Sequence, residues 1–201
     1  MMIYIKKIFV FIYAILIAGM VFPANVNSYN NFTPVKSQSL PKIKTGDLVT
    51  RKGKGLISHV FAKLSDTQQR FSHIGVIWII DNKPFVLHVM GHTNKNTSHL
   101  RLDPLAHFID KQRASVYGLF SLNIESQELE NLPHVFKKTL EKRIQFDDDF
   151  DLNTQDAMYC TEFIRYCFNS ATNNKDFFQT EFRKDQSYIT IGNIISKATE
   201  L

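Results

Sequence analysis

Met158-Tyr159-Cys160-Thr161-Glu162-Phe163-Ile164-Arg165-Tyr166-Cys167 decides how this chain is read, because it sets a thiol at the head of an amphipathic helix. Asn153-Thr154-Gln155-Asp156 supplies N-cap residues just ahead of it, so the pattern predicts a helix starting near residue 156. Cys160, Phe163, Ile164 and Cys167 recur at i, i+3, i+4 and i+7 and make one face, with Glu162, Arg165 and Asn169 on the other. Cys160 then falls in the first turn, where unpaired N–H groups and the positive end of the helix dipole favour a thiolate. Its expected pKa lies below the roughly 8.5 of a free cysteine. Cys167 is about 10 Å further along at 1.5 Å per residue, too far for a disulfide between the two. It reads as a small buried hydrophobe.

A second stretch gives the thiol its context. Phe71-Ser72-His73-Ile74-Gly75-Val76-Ile77-Trp78-Ile79-Ile80 is nearly continuous in apolar and β-branched residues, the signature of a strand buried on both faces and central in a sheet. Asp81-Asn82-Lys83-Pro84 turns the chain, and Phe85-Val86-Leu87-His88-Val89-Met90 returns as its partner. An imidazole at the mouth of a central strand is costly to desolvate alone, so His73 needs a bonded partner. With the turn centred on Asn82-Lys83, His73 falls opposite His92 and His88 opposite Ile77, which puts both on the His73 face. Either one is placed to hold the His73 ring.

The N-terminus has another purpose. Lys6 and Lys7 precede the apolar run Ile8 to Phe22, and small residues follow in Ala24-Asn25-Val26-Asn27-Ser28. This is the three-part pattern of a secretory signal peptide over residues 1–28. The run is short for a spanning helix, so no stable membrane span is expected after cleavage, with a retained anchor as the alternative. Export to the periplasm or beyond follows. Residues 29–42, rich in Asn, Ser and Pro, read as a linker, and residues 43–201 as one domain. The net charge of +5 includes Lys6 and Lys7, and removing residues 1–28 lowers it to +3. That is too mild, and too free of basic patches with interleaved aromatics, to argue for nucleic acid.

Within the domain, Ile43 to Thr50 predicts a turn and short strand, and Arg51-Lys52-Gly53-Lys54-Gly55 a basic turn without phosphate-loop spacing. Leu56, Ile57, Val60, Phe61 and Leu64 predict an amphipathic helix that carries His59. His92, His99 and His107 show no ligand spacing with each other or with the cysteines, so neither a metal nor any other cofactor is assigned. Ala114 to Leu122 predicts a strand and Ser126 to Lys142 a helix disturbed by Pro133. Phe146-Asp147-Asp148-Asp149-Phe150-Asp151 fits no EF-hand spacing and reads as a solvated turn. Phe182 to Leu201 predicts a strand or turn and a closing helix.

Taken in order, Gly46-Asp47-Leu48-Val49, Phe71-Ser72-His73-Ile74-Gly75-Val76, Phe85-Val86-Leu87-His88 and Tyr159-Cys160-Thr161-Glu162-Phe163 carry a resemblance. Residues 43–170 resemble the circularly permuted papain-like, NlpC-type hydrolases of the YiiX-like branch, which share their active-site layout with the lecithin retinol acyltransferase family. The resemblance implies an α+β fold in which an antiparallel sheet packs against the helix carrying the cysteine. It implies Cys160 as nucleophile, His73 as base and His88 as the group orienting the imidazole. YiiX-like members carry an acid at that third position and the acyltransferase relatives a histidine, so His88 departs from the nearer pattern. Tyr159 is a candidate for oxyanion support. The expected activity is an exported cysteine peptidase or amidase acting on peptide or other amide substrates of the cell envelope. The alternatives are a thiol acyltransferase or lipase on lipid esters and a non-catalytic lipid- or envelope-binding domain.

Overall fold

The computed structural model describes residues 41–201 apart from 55–57, 59–61, 64, 66–67, 92–98, 155 and 184. The expected signal peptide, nearly all of the linker, His59 with most of its predicted helix, and His92 lie outside the described residues. The fold is α+β. Strands β1 (Leu48–Gly53), β2 (His73–Ile80), β3 (Lys83–Met90), β4 (His99–Pro104), β5 (Ala114–Leu122) and β8 (Ala198–Glu200) form a sheet in the order β4-β3-β2-β1-β5-β8. Every neighbouring pair in it is antiparallel. A separate hairpin joins β6 (Glu181–Arg183) to β7 (Gln186–Tyr188). The helices are α1 (Leu105–Phe108), α2 (Ser126–Leu129), α3 (Leu132–Glu141), α4 (Cys160–Thr172) and α5 (Ile191–Ile195).

Strand β2 sits between β1 and β3, and its alternating side chains feed two cores, as its unbroken apolar run requires. Ile74, Val76 and Trp78 join Leu48, Leu87, Val89 and Phe120 on one face, covered by Leu132 and Phe136 of α3 and by Phe163, Ile164, Cys167 and Phe168 of α4. Full burial of a phenylalanine such as Phe163 contributes roughly 2–3 kcal/mol, so the apolar stripe of α4 locks that helix to the sheet. Ile77 joins Val49, Val86 and Leu119 on the other face, under Leu105 and Phe108 of α1.

The β2–β3 turn corrects the expected register. Asp81 and Asn82 both take positive φ (48° and 59°), a two-residue type I′ connection that pairs Ile80 with Lys83 and Val76 with Leu87. His88 is thereby carried beside Gly75 rather than opposite Ile77. A Cβ on Gly75 would lie 2.4 Å from Val86 Cγ1 and 3.1 Å from His88 Cβ, so only glycine lets β3 close here.

Other expectations also shift. The cysteine helix begins at Cys160, not near residue 156, because Met158 and Asp147 pair with neighbouring backbone: Met158 N–H donates to Gln145 O and Asp147 N–H to Met158 O. The basic segment Arg51-Lys52-Gly53 continues β1 instead of turning, paired to β5 through Gly53↔Ala114. The helix expected over 126–142 is broken in two, with Pro133 in the opening turn of α3, where a missing N–H costs nothing. Segment 99–108 supplies a strand and a short helix that the sequence reading left unassigned. The tail adds the hairpin and α5, and then an edge strand. Asp147 is not solvated: it is buried and accepts from the N–H groups of Asp149 (2.8 Å) and Asp151 (2.6 Å).

Candidate active site

Two cross-strand neighbours meet on the face of the sheet that α1 covers. His73 near the start of β2 and His88 near the end of β3 bring Nε2 and Nδ1 to 2.9 Å, with the rings edge-to-face. Phe108 is their common platform: His73 stacks on its ring at 5.6 Å between centroids, and His88 meets it edge-on at 5.0 Å. Across the same ring, Arg51 sets its guanidinium carbon 4.3 Å from the centroid and donates from Nη1 to Phe108 O (2.9 Å). His73 keeps partial exposure, whereas His88 is fully buried. One imidazole can meet a substrate and the other can only hold its neighbour.

Strand β4 completes the row. His88 Nε2 lies 3.2 Å from Asp103 Oδ2, and Arg101 Nη2 donates to Asp103 Oδ1 at 3.0 Å. Burial drives the pKa of His88 down to about 4, against the pull of Asp103 and with the cations Arg51 and Arg101 adding to the fall. Burial alone would raise the Asp103 carboxyl. The hydrogen bond from His88, with the guanidinium of Arg101, outweighs it and holds the group well below the usual carboxylate range. At neutral pH the row is therefore a neutral imidazole bonded to a carboxylate. Asp103 and Arg101 escaped the sequence reading. The alternation in His99-Leu100-Arg101-Leu102-Asp103 was the available signal, since it puts Arg101 and Asp103 on the face that His88 shares.

Cys160 approaches β2 from the other side, at the head of α4. The ladder between β2 and β3 ends at Val76↔Leu87, and beyond it the N–H of Ile74, the residue after His73, bonds to the thiol of Cys160. The sulfur thus meets the strand at its amide edge, one residue from His73, while the residue as a whole stays partly exposed. The amides of Thr161 and of Cys160 itself also point to it. The expected low pKa is not found: burial of the thiol between α4 and β2 outweighs these three amides and pushes it up to about 11. The helix terminus is present, but desolvation wins. Cys167 is fully buried in the α4 core, which raises its thiol well above the ordinary range.

Tyr159 and Thr161, on either side of Cys160, grip the same residue. Tyr159 Oη accepts from Ile189 N–H (3.0 Å), and Thr161 Oγ1 donates to Ile189 O (2.8 Å). Tyr159 is buried with its ring 5.1 Å from that of Phe150, and burial raises its phenol pKa. Its hydroxyl serves the fold by anchoring the β7–α5 connection to the first turn of α4. Glu162 closes that turn by accepting from Tyr159 N–H (3.2 Å).

No family model matches the sequence, and no curated relative matches it. Among solved structures, the fold is similar to the crystal structure of metalloprotein yiiX from Escherichia coli O157:H7, with a TM-score of 0.62. The likeness covers 79% of this chain and 96% of that one at 16% identity, and it establishes a shared fold.

Proposed function

We propose that the protein is a thiol hydrolase of amide bonds on a permuted papain-like scaffold, with Cys160 as nucleophile and His73 as base. One observation supports the reading: the thiol of Cys160 is held by the amide of Ile74, the residue that follows His73 in β2, and the Nε2 of His73 is already fixed by His88. With the resting sulfur protonated, attack is base-assisted rather than driven by a preformed ion pair. As Sγ bonds to the substrate carbonyl carbon, the thiol proton passes to His73 Nδ1 and the carbonyl electron pair moves onto oxygen. The N–H groups at the head of α4 receive that oxyanion. Collapse expels the amine, which takes the proton from the imidazolium. Water then adds to the acyl-enzyme, with His73 accepting its proton, and releases the acid and the thiol. Export by the N-terminal segment makes peptides or other amides of the cell envelope the substrate class.

The contact of His88 with His73 favours a second reading. A histidine in the orienting position is the acyltransferase pattern, so transfer or hydrolysis of lipid acyl esters uses the same residues. A metal reading, prompted by the description of the yiiX protein, fits the donors poorly. Both ring nitrogens of His88 are bonded, and no three His, Cys, Asp or Glu side chains converge as ligands among the described residues. The test is a panel of peptide amides and lipid esters assayed with the native chain and Cys160→Ala. Amine release that disappears in the variant is expected. Ester turnover without amide turnover would favour the second reading, and activity that survives in Cys160→Ala would overturn both.

A further inference from the structure

Hydrogen-bond direction along the row Arg101–Asp103–His88–His73 can be read from its far end, because only one end has no choice. A guanidinium donates and never accepts, so Arg101 Nη2 makes Asp103 Oδ1 an acceptor. Asp103 Oδ2, on an ionised carboxylate, is an acceptor too, so His88 must present a proton on Nε2 at 3.2 Å. His88 is fully buried beside Arg101 and Arg51, which disfavours a second proton, so its Nδ1 carries a lone pair. The 2.9 Å contact then requires His73 to donate from Nε2. A neutral His73 protonated on Nε2 has its lone pair on Nδ1.

We propose that the Arg101–Asp103 pair is a positioning device that sets the tautomer of both histidines and so leaves His73 Nδ1 as the basic nitrogen. Neither residue touches substrate in this account. They act through His88, and the inference rests on the assignment of His73 as the base of Cys160. Asp103 supplies direction as well as charge. An amide at this position would be turned by Arg101, which claims the carbonyl oxygen and leaves the NH2 to donate to His88 Nε2. Every bond in the row would then reverse: His88 would donate from Nδ1, His73 Nε2 would accept, and the His73 proton would sit on Nδ1, where it cannot receive one from the thiol.

The reversal can be measured apart from catalysis. In the full chain labelled with 15N-histidine, and with the His73 signals assigned by comparison with His73→Gln, the ring nitrogens report which one is protonated. The native protein should show His73 and His88 both protonated on Nε2, and Asp103→Asn should move both protons to Nδ1. Arg101→Met in the Asp103→Asn background frees the amide to turn over, and should return His73 toward the Nε2 form. Turnover should follow the tautomer: a loss of roughly 10²- to 10⁴-fold in Asp103→Asn, the range of a lost general base, and recovery of at least about tenfold of it in the double variant. A purely structural role for Asp103 predicts further loss, not recovery, when Arg101 is also removed. Native His73 protonated on Nδ1, or the same tautomer in native and Asp103→Asn, would overturn the proposal, and the native spectrum alone decides it if the variant does not fold. If the tautomers reverse as described while no variant changes turnover, the fault lies with the thiol hydrolase reading instead.

Discussion

Glu162→Gln should make the protein more stable at neutral and alkaline pH and leave it unchanged in acid. Glu162 is buried two residues beyond Cys160, with its Oε2 accepting from Tyr159 N–H. Burial raises its pKa from 4.5 to about 8, with Asp147 and Asp151 adding to the rise and the Tyr159 N–H and Arg165 opposing it. Between those two values the folded protein holds a proton that the unfolded chain has released. Stability contributed by this group is therefore complete below about pH 4.5 and falls as pH rises through about 8. At 1.36 kcal/mol per unit, the loss is about 3 kcal/mol by pH 7 and approaches 5 kcal/mol above pH 9. Glutamine keeps the accepting oxygen of the cap and does not titrate, so the variant avoids this loss. Urea unfolding followed by the fluorescence of Trp78, buried against Phe136, measures both proteins at pH 4, 5.5, 7 and 8.5. The difference between them isolates Glu162 from every other titrating group. It should grow from near zero to about 3 kcal/mol in favour of the variant at pH 7. A difference that stays constant with pH, or a variant less stable at pH 8.5, would refute the reasoning.

Two further outcomes follow from the same geometry. Iodoacetamide should label Cys160 well ahead of the fully buried Cys167, with a rate that climbs about tenfold per pH unit from pH 7 to 9 and no plateau in between, as a thiol raised to about 11 requires; a plateau near pH 7 would reveal a preformed thiolate–imidazolium pair. Tyr159→Phe should cost about 1–3 kcal/mol in urea unfolding by leaving Ile189 N–H unpaired, with kcat reduced far less than in His73→Ala; a kcat loss equal to that of His73→Ala would instead support Tyr159 in the oxyanion role.

Long, strongly patterned segments were legible in the sequence. The continuous apolar run of β2 marked a central strand, and the i, i+3, i+4, i+7 stripe of α4 marked the helix that carries the thiol. What escaped notice depends on contacts between distant segments. Strand β4 is six residues long and half polar, and its alternation gains meaning only once it lies beside β3, so it did not by itself single out Asp103. The register error came from placing the turn at Asn82-Lys83. Asp81 and Asn82 both tolerate the left-handed region, and a type I′ turn uses both. The thiol pKa was misjudged for a similar reason: a helix terminus is visible in sequence, whereas the desolvation that outweighs it arises when α4 docks on β2.

The most direct test of the account is the intact mass of the protein after exposure to a peptidyl epoxide and to a peptidyl thioester. Trypsin cuts after Arg165 and separates Cys160 from Cys167, so the modified thiol can be read from the peptide that carries it. The account predicts a single adduct on the Cys160 peptide, absent in Cys160→Ala and formed at least about tenfold more slowly in His73→Ala. An adduct on Cys167, or labelling of Cys160 that His73→Ala leaves unchanged, would contradict it.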